Sequence, residues 1–167
     1  MNAQQNAFLK IVIPAAQAAQ SEYGIPAAVT IAQAILESSN KKGWGQSSLA
    51  LQANNFFGIK DSDHESYMEF VTKEDNGGAH LETARFEKYA SIADCFIAHA
   101  RLLAGSKRYR PAMAVKTDPA KFAAAVQRCG YSSNPNYAQS LMRLMAQYDL
   151  TQYDTQQNIQ PAAPAEG

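Results

Sequence analysis

The chain of 167 residues suits one domain, and 46% of its residues are hydrophobic, which is enough to build a core. Fifteen Lys and Arg residues balance fifteen Asp and Glu residues. The chain therefore lacks the positive excess that is typical of nucleic-acid binders and of proteins that adhere to anionic lipid. No run of 18 apolar residues occurs in the sequence, so no membrane span is expected.

The N-terminal segment superficially resembles an export signal. Lys10 precedes a short apolar run, but Pro14 breaks that run and Gln17, Gln20 and Glu22 follow it. A signal peptide needs an apolar core of about 7–15 residues. We therefore interpret the segment as a folded helix and expect a chain made without a signal peptide.

Helical periodicity covers the first third of the chain, beginning with residues 3–22. Pro14 is expected to kink or split this first helix, and Gly24 to stop it. Pro26 suits the first turn of a second helix. The predicted apolar face of the first helix consists of Ala7, Ile11, Ala15, Ala18 and Ala19.

The second predicted helix is apolar around much of its circumference and carries Glu37 at its C-terminal end. Apolar neighbours and the partial negative charge of a helix C-terminus both disfavour an anion, so the pKa of Glu37 is expected to be raised. A carboxylic acid that stays protonated near neutral pH is what cleavage of a glycosidic bond requires. The alternatives are a solvated helix-end residue or an ion pair with Lys41, four positions on.

The middle of the chain is more polar and lacks the helical periodicity of the first third. A polar turn over 38–45 and a short helix around 47–52 precede residues 61–88, which are polar and hold a Gly77-Gly78 pair typical of a hairpin tip. We predict a small β-lobe over 61–88.

Helices resume after this lobe. Ser91 is a predicted N-cap, and Asp118-Pro119 and Asn134-Pro135 each indicate a further helix start. The first of these helices carries Cys95 and His99 on its apolar face. The tail, 155–167, is rich in Gln, Pro and Ala and is predicted to be disordered.

No metal or cofactor is expected. The spacing of His64, His80 and His99 matches no zinc site. The acidic stretch that begins at Asp61 lacks the glycine and glutamate that an EF-hand loop requires. Cys95 and Cys129, which fit no metal or redox motif, are interpreted as two buried thiols, with a disulfide as the alternative.

Three motifs occur in order along the chain: 32–38 (AQAILES), 43–50 (GWGQSSLA) and 54–60 (NNFFGIK). This series resembles glycoside hydrolase family 73, the peptidoglycan β-N-acetylglucosaminidases. Further similarity follows at 72–78, at 85–91 and at 130–138 (GYSSNPNYA), so the resemblance covers roughly residues 8–150. The chain departs from the family pattern at 39–43, an insertion beside Glu37 that is expected to alter the rim of the cleft.

The resemblance implies a mainly α, lysozyme-like domain over 1–154 with a small β-hairpin lobe over about 61–88. It implies hydrolysis of the β-1,4 bond after N-acetylglucosamine in peptidoglycan, without a cofactor. Glu37 matches the general acid, and Glu74 matches a second carboxylate carried on the lobe. Six residues are implied in substrate binding: Tyr131, Trp44, Asn134, Tyr137, Phe56 and Ser47.

Several of these roles have structural alternatives. Trp44 and Phe56 either stack on sugar faces or pack in the core, and Tyr137 packs in the core or joins the cleft. Ser47 either caps the short helix or touches the acid. Glu74 acts as a base with a water, as a covalent nucleophile, or as an accessory to the acetamido oxygen of the substrate.

Two other functions stay open at this point. One is cleavage after N-acetylmuramic acid by a muramidase or lytic transglycosylase, and the other is a non-catalytic glycan-binding module. The expected partner is the peptidoglycan glycan strand. The chain is expected to act as a monomer in the periplasm or cell wall. The sequence is compatible with four biological settings: a phage lysin, a wall hydrolase exported by a specialised route, an injected toxin with an immunity protein, and a domain excised from a longer protein.

Overall fold

Helices make up most of the chain, and one β-hairpin interrupts them. The computed structural model describes residues 1–62, 66–75 and 79–155, with only the backbone described over 72–75 and 79–82. In chain order the elements are α1 (Ala3–Tyr23), α2 (Ala27–Ser38), α3 (Ser48–Ala53), β1 (Tyr67–Asp75), β2 (Ala79–Glu87), α4 (Ile92–Gly105), α5 (Arg110–Met113), α6 (Pro119–Arg128) and α7 (Tyr137–Gln147). Short 3₁₀ turns lie at Lys107–Tyr109 and Leu150–Tyr153. The prediction of a mainly α chain with a small hairpin is confirmed.

Helix α2 is the central element of the core. It is buried continuously from Ala27 to Ile35 and packs against α1, α6, α7 and the turn Leu150–Tyr153. Its side chains are mostly Ala, Ile and Val, small or apolar groups that suit close approach of several helices. Leu36 and Glu37 are exposed at its last turn, and Glu37 lies at the C-terminal end of this helix, as predicted.

Helix α1 differs from its prediction in two respects. It is one continuous helix with Pro14 inside it, so Pro14 does not split the chain there. Pro14 and Lys10 are both exposed, so the Lys10 carbonyl, which a proline four residues on cannot hydrogen-bond, belongs to the solvent-facing side of the helix, where proline is tolerated best. The buried face is also rotated from the predicted one: Ile11 is 54% exposed, and the core is met instead by Phe8, Leu9, Val12, Ala15, Ala16 and Ala19.

The predicted helix caps are mostly present. Gly24 ends α1 in the left-handed region, and Ser91 and Asp118 each accept a hydrogen bond from the backbone three residues on. Asn134 is the exception, because α7 begins at Tyr137 with Asn136 as its N-cap. The side chain of Asn134 instead accepts a hydrogen bond from the Asn136 amide, forming a turn ahead of the helix.

The hairpin is antiparallel, with a register that runs from Tyr67 opposite Glu87 to Asp75 opposite Ala79. Its base is fixed by Asn55, a buried residue whose side-chain amide donates to the carbonyls of Ile59 and Glu87 at 2.9 Å each. The predicted tip at 77–78 lies outside the described residues, and so does all of the predicted disordered tail, 155–167, except Thr155. The hairpin therefore starts from a fixed base next to the segment 58–60.

Cys95 and Cys129 are free thiols, so the disulfide alternative is wrong. Cys95 is buried, and its sulfur accepts a hydrogen bond from the Phe56 amide at 3.4 Å. Burial raises the pKa of its thiol to about 12. In the described part of the chain, none of the helices is apolar over a length sufficient to cross a bilayer.

Candidate active site

Glu37 opens into a cavity of about 370 Å³ between the end of α2, the segment before the hairpin, α4 and the loop before α7. Aromatic and aliphatic side chains share the lining with several polar groups, a mixture that suits a small-ligand site. The lining residues are Glu37, Phe57, Gly58, Ile59, Lys60, His99, Leu102, Tyr109, Tyr131 and Ser132.

The carboxyl of Glu37 is held in a partly desolvated position. One side of the residue is open to solvent, while protein atoms surround the rest of the carboxyl group. This burial raises the pKa of Glu37, and a hydrogen bond from Tyr137 lowers it by a smaller amount. The raised pKa that the sequence predicted is therefore present, and its main cause is desolvation.

Two residues behind Glu37 form a hydrogen-bonded chain. The side-chain amide of Gln33, buried in α2 one turn earlier, donates to the Tyr137 hydroxyl oxygen at 3.1 Å. The Tyr137 hydroxyl in turn hydrogen-bonds to Glu37. Because Gln33 occupies a lone pair of that oxygen, the Tyr137 proton is directed toward the carboxylate.

Tyr131 forms the adjacent wall of the cavity. Its ring stacks on that of Tyr137 with centroids 5.5 Å apart and planes at 24°. Its hydroxyl is enclosed and lies 3.0 Å from Nε2 of His99. Burial raises the pKa of Tyr131 well above its ordinary value, and the nearby charge of Glu37 raises it further. Tyr131 therefore keeps its hydroxyl proton at neutral pH.

Trp44 and Phe56 lie in the aromatic core, and neither lines the cavity that holds Glu37. Trp44 packs edge-on against Tyr148 at 4.8 Å and against Phe8 at 5.8 Å, and Phe56 contacts Phe8 at 6.2 Å. Both line a separate apolar cavity of about 300 Å³. Their geometry matches the core-packing alternative.

The side chains of Ser47 and Asn134 both accept hydrogen bonds from nearby backbone amides. The Ser47 hydroxyl accepts a hydrogen bond from the Ala50 amide at 3.1 Å and so caps α3. Asn134 is exposed in the turn before α7. Glu74 lies in β1, with its backbone opposite His80, and its side chain is among those outside the described residues.

Sequence reasoning did not single out several residues of the cavity wall. Phe57, rather than its neighbour Phe56, lines the cavity, together with Lys60, His99 and Tyr109. Phe57 and Lys60 belong to the 54–60 motif, which pointed to this segment without deciding which ring faces which way. The position of His99 on the apolar face of α4 was the signal available for that residue.

The inserted turn 39–43 packs against α1. The Gln4 side chain donates to the Trp44 carbonyl at 2.6 Å and accepts from the Trp44 amide at 3.3 Å. A Cβ on Gly43 would come within 2.7 Å of the Gln4 side-chain oxygen, so the turn and α1 are in close contact. None of the residues that line the cavity of Glu37 comes from this turn.

Tyr137→Phe is expected to move the alkaline limb of the pH–kcat/KM profile to higher pH. The Tyr137 hydroxyl stabilises ionised Glu37, so its removal raises the pKa of the carboxyl, and the acid stays protonated to higher pH. Tyr109→Phe is the matched control, because Tyr109 lines the same cavity and is not among the causes that shift the pKa of Glu37. A limb that stays in place, or moves equally in both variants, contradicts this role of Tyr137.

The fold and the arrangement around Glu37 can be compared with known proteins. The family model for glucosaminidase, described as mannosyl-glycoprotein endo-β-N-acetylglucosaminidase, matches residues 13–150. Exo-glucosaminidase LytG of Bacillus subtilis is 32% identical over 157 residues, which is 90% of this chain and 54% of that protein. Peptidoglycan hydrolase FlgJ of Pseudomonas aeruginosa is 32% identical over 159 residues, covering 91% of this chain and 39% of that protein. The chain thus spans about half the length, or less, of these curated relatives.

A solved structure supports the same relationship. The catalytic domain of the autolysin Auto from Listeria monocytogenes superposes with a TM-score of 0.78 at 28% identity, covering 92% of this chain and 89% of that one. The lysozyme-like fold prediction is thereby confirmed. From the family match and these relatives, the chain belongs to the glucosaminidase family of glycoside hydrolases.

Proposed function

We propose that this chain hydrolyses the β-1,4 bond after N-acetylglucosamine in peptidoglycan, with Glu37 as general acid and without a cofactor. The observation that supports it most is the carboxyl of Glu37, whose pKa is raised by burial at the wall of a cavity lined in part by aromatic rings. The named relatives include peptidoglycan hydrolases, and glycans with apolar pyranose faces suit aromatic walls.

In the first step Glu37 gives its proton to the glycosidic oxygen as the bond from that oxygen to the anomeric carbon breaks. The carboxylate that remains is stabilised by the hydrogen bond from Tyr137. A water adds its hydroxyl to the anomeric carbon and gives its proton to a carboxylate. If that carboxylate is Glu37, the acid is restored directly; if it is Glu74, proton exchange with solvent returns both groups to their starting states. Tyr131, on the wall beside Glu37, is the substrate-binding residue that this geometry favours, whereas Tyr137 is buried behind Glu37 and does not line the cavity.

We propose Glu74 as the second carboxylate, carried on the hairpin. The hairpin also holds Glu69, but its side chain pairs with Arg85 at 3.1 Å, which makes Glu69 a weaker candidate. Glu74→Gln should slow hydrolysis much more than the matched change Glu69→Gln. Equal effects contradict the assignment of Glu74.

The anomer formed first identifies the route. An inverted product, seen by proton NMR during digestion, indicates a water activated by Glu74. A retained product indicates a nucleophile, either Glu74 itself or the acetamido oxygen of the substrate. Retention combined with substantial activity in Glu74→Gln points to the acetamido oxygen.

The direct test of the function is the sugar at the new reducing end. Purified peptidoglycan is digested, reduced with borohydride and hydrolysed, and the reduced amino sugar is identified. N-acetylglucosaminitol supports the proposal. Reduced muramic acid or an anhydromuramic product overturns it in favour of a muramidase or lytic transglycosylase, and the absence of any new end from the wild type favours a binding module. Product length separates endo cleavage, which we propose, from the exo mode in the name of LytG.

The proposed site of action is the cell wall or periplasm, reached as a phage lysin or by a specialised export route. We propose that the chain acts as a monomer, which light scattering tests directly. Expression in a Gram-negative host with and without an added periplasmic signal tests the location, because lysis is expected only with the signal. Protection of that host by a neighbouring gene would identify an immunity protein.

A further inference from the structure

His99 is a buried residue of the site that the mechanism above leaves without a role. It lies on α4, is 1% exposed, and stacks on Phe57 with ring centroids 3.9 Å apart and planes at 16°. Its Nε2 lies 3.0 Å from the hydroxyl oxygen of Tyr131. His99 and Tyr131 both line the cavity that contains Glu37.

The imidazole is neutral under the conditions of the reaction. Burial lowers the pKa of His99 to about 3, because a cation on this ring would lose its hydration. His99 is therefore not a proton donor to the substrate. As a neutral ring, it carries one proton on one of two nitrogens, and the choice of nitrogen decides what Tyr131 can do.

The surroundings favour the proton on Nε2. Nδ1 is buried and has no hydrogen-bond partner among the described residues. A proton on Nδ1 would leave a buried N–H without an acceptor, and orphaned N–H groups are rarer in proteins than unsatisfied acceptors. With the proton on Nε2, the unsatisfied group is only a lone pair, and the N–H is used in the hydrogen bond to Tyr131.

We propose that His99 is a positioning residue, which donates from Nε2 to the Tyr131 hydroxyl oxygen and so directs the Tyr131 proton into the cavity, toward an acceptor oxygen of the bound glycan. This inference rests on the proposed function. In the opposite tautomer Tyr131 would donate to His99 and present only lone pairs to the substrate. The tautomer thus decides whether the cavity wall beside Glu37 is a hydrogen-bond donor.

Hydrogen bonds from Arg108 fix the backbone next to Tyr131, so the main remaining freedom of this residue is rotation of its hydroxyl group. The Arg108 guanidinium donates to the carbonyls of Cys129 and Gly130. Gly130 has φ +77°, and a Cβ there would come within 2.5 Å of the Arg108 Nη2 atom. With its backbone clamped and its ring stacked on Tyr137, Tyr131 depends on His99 for the direction of its proton.

Four variants test the proposal: His99→Phe, His99→Gln, Tyr131→Phe and the double variant with Phe at both positions. His99→Phe keeps a ring against Phe57 and removes the donor, and we expect kcat to fall about tenfold or more while KM changes by less than about threefold. His99→Gln keeps a side-chain N–H and should retain most of the activity. The double variant should be no slower than Tyr131→Phe alone, because both changes remove the same directed proton.

The tautomer itself is read by long-range proton–nitrogen NMR of the wild-type chain, with the signals of His99 assigned from their loss in His99→Gln. We expect a protonated Nε2 and an unprotonated Nδ1. A proton on Nδ1 overturns the proposal, as does a His99→Phe variant within about twofold of the wild type, or losses that add in the double variant. The NMR readout does not depend on activity, so it stands even if the wild type fails to cleave peptidoglycan, a result that would overturn the proposed function.

Discussion

Glu37→Gln is expected to reduce the rate of peptidoglycan hydrolysis by about 10²–10⁴-fold, the range that a general acid contributes. The amide has nearly the same shape as the carboxylic acid but no proton to give to the leaving oxygen. The measurement is the initial rate of release of new reducing ends from purified wall. Glu22→Gln, a matched change at an exposed position of α1, is expected to leave the rate unchanged.

The same variant separates catalysis from folding. The pKa of Glu37 is raised in the fold, so the folded chain tolerates the ionised carboxyl less well than the unfolded chain does. The stabilisation linked to its protonation is present at low pH and is lost as pH rises through the raised pKa. At pH values above the raised pKa, Glu37→Gln removes an unfavourable charge, so its melting temperature there should equal or exceed that of the wild type. Lost activity with a lower melting temperature would instead indicate damage to the fold.

Trp44→Ala is expected to lower the free energy of unfolding by about 3–5 kcal/mol, the usual cost of deleting a large buried aromatic side chain. Trp44 is 9% exposed and makes edge-on contacts with Phe8 and Tyr148, which join α1 to the end of α7. Urea unfolding at equilibrium measures the effect. Leu51→Ala, which removes a side chain 62% exposed on neighbouring α3, should change the stability by no more than about 0.5 kcal/mol.

The kinetics of Trp44→Ala decide between the two roles that the sequence left open. Measured well below its melting temperature, the variant should keep the wild-type KM for glycan, because Trp44 lies outside the cavity of Glu37. A large rise in KM with little loss of stability would assign Trp44 to the sugar instead. Trp44→Phe, which keeps an aromatic ring in the core, should show an intermediate loss of stability and the same KM.

Local patterns were sufficient for much of the fold. Apolar spacing and flanking residues placed α2 with Glu37 in its last turn, and Ser91 and Asp118 were identified as caps from their residue type alone. The prediction that Pro14 splits α1 was wrong, because the effect of a proline on a helix depends on whether the carbonyl that it leaves unpaired faces water or the core. The apolar face of α1 was misjudged for a related reason: several alanines fit either side, and only the packing of Phe8 and Val12 selects one.

The candidate site divides in the same way. Glu37 was predicted as the acid from the sequence because the motifs around it are specific; a carboxyl at the end of an apolar helix would not have been sufficient by itself. Which neighbouring ring lines the cavity of Glu37, Phe56 or Phe57, is decided by the packing of the segment 54–60 against Phe96 and His99 of α4. A run of two aromatic residues carries no local signal for that choice.

By itself, the sequence determined the helical class, the family resemblance and the position of Glu37, the proposed acid, since each depends on residue type and spacing along the chain. Only the tertiary structure decided how far the Glu37 carboxyl is buried, the hydrogen-bonded chain from Gln33 through Tyr137 to Glu37, and the contact between His99 and Tyr131. Gln33 and Tyr137 are 104 positions apart, and His99 and Tyr131 are 32 apart. Desolvation and hydrogen bonding act through distances of a few ångströms in space, which residues so far apart in sequence acquire only when the helices pack.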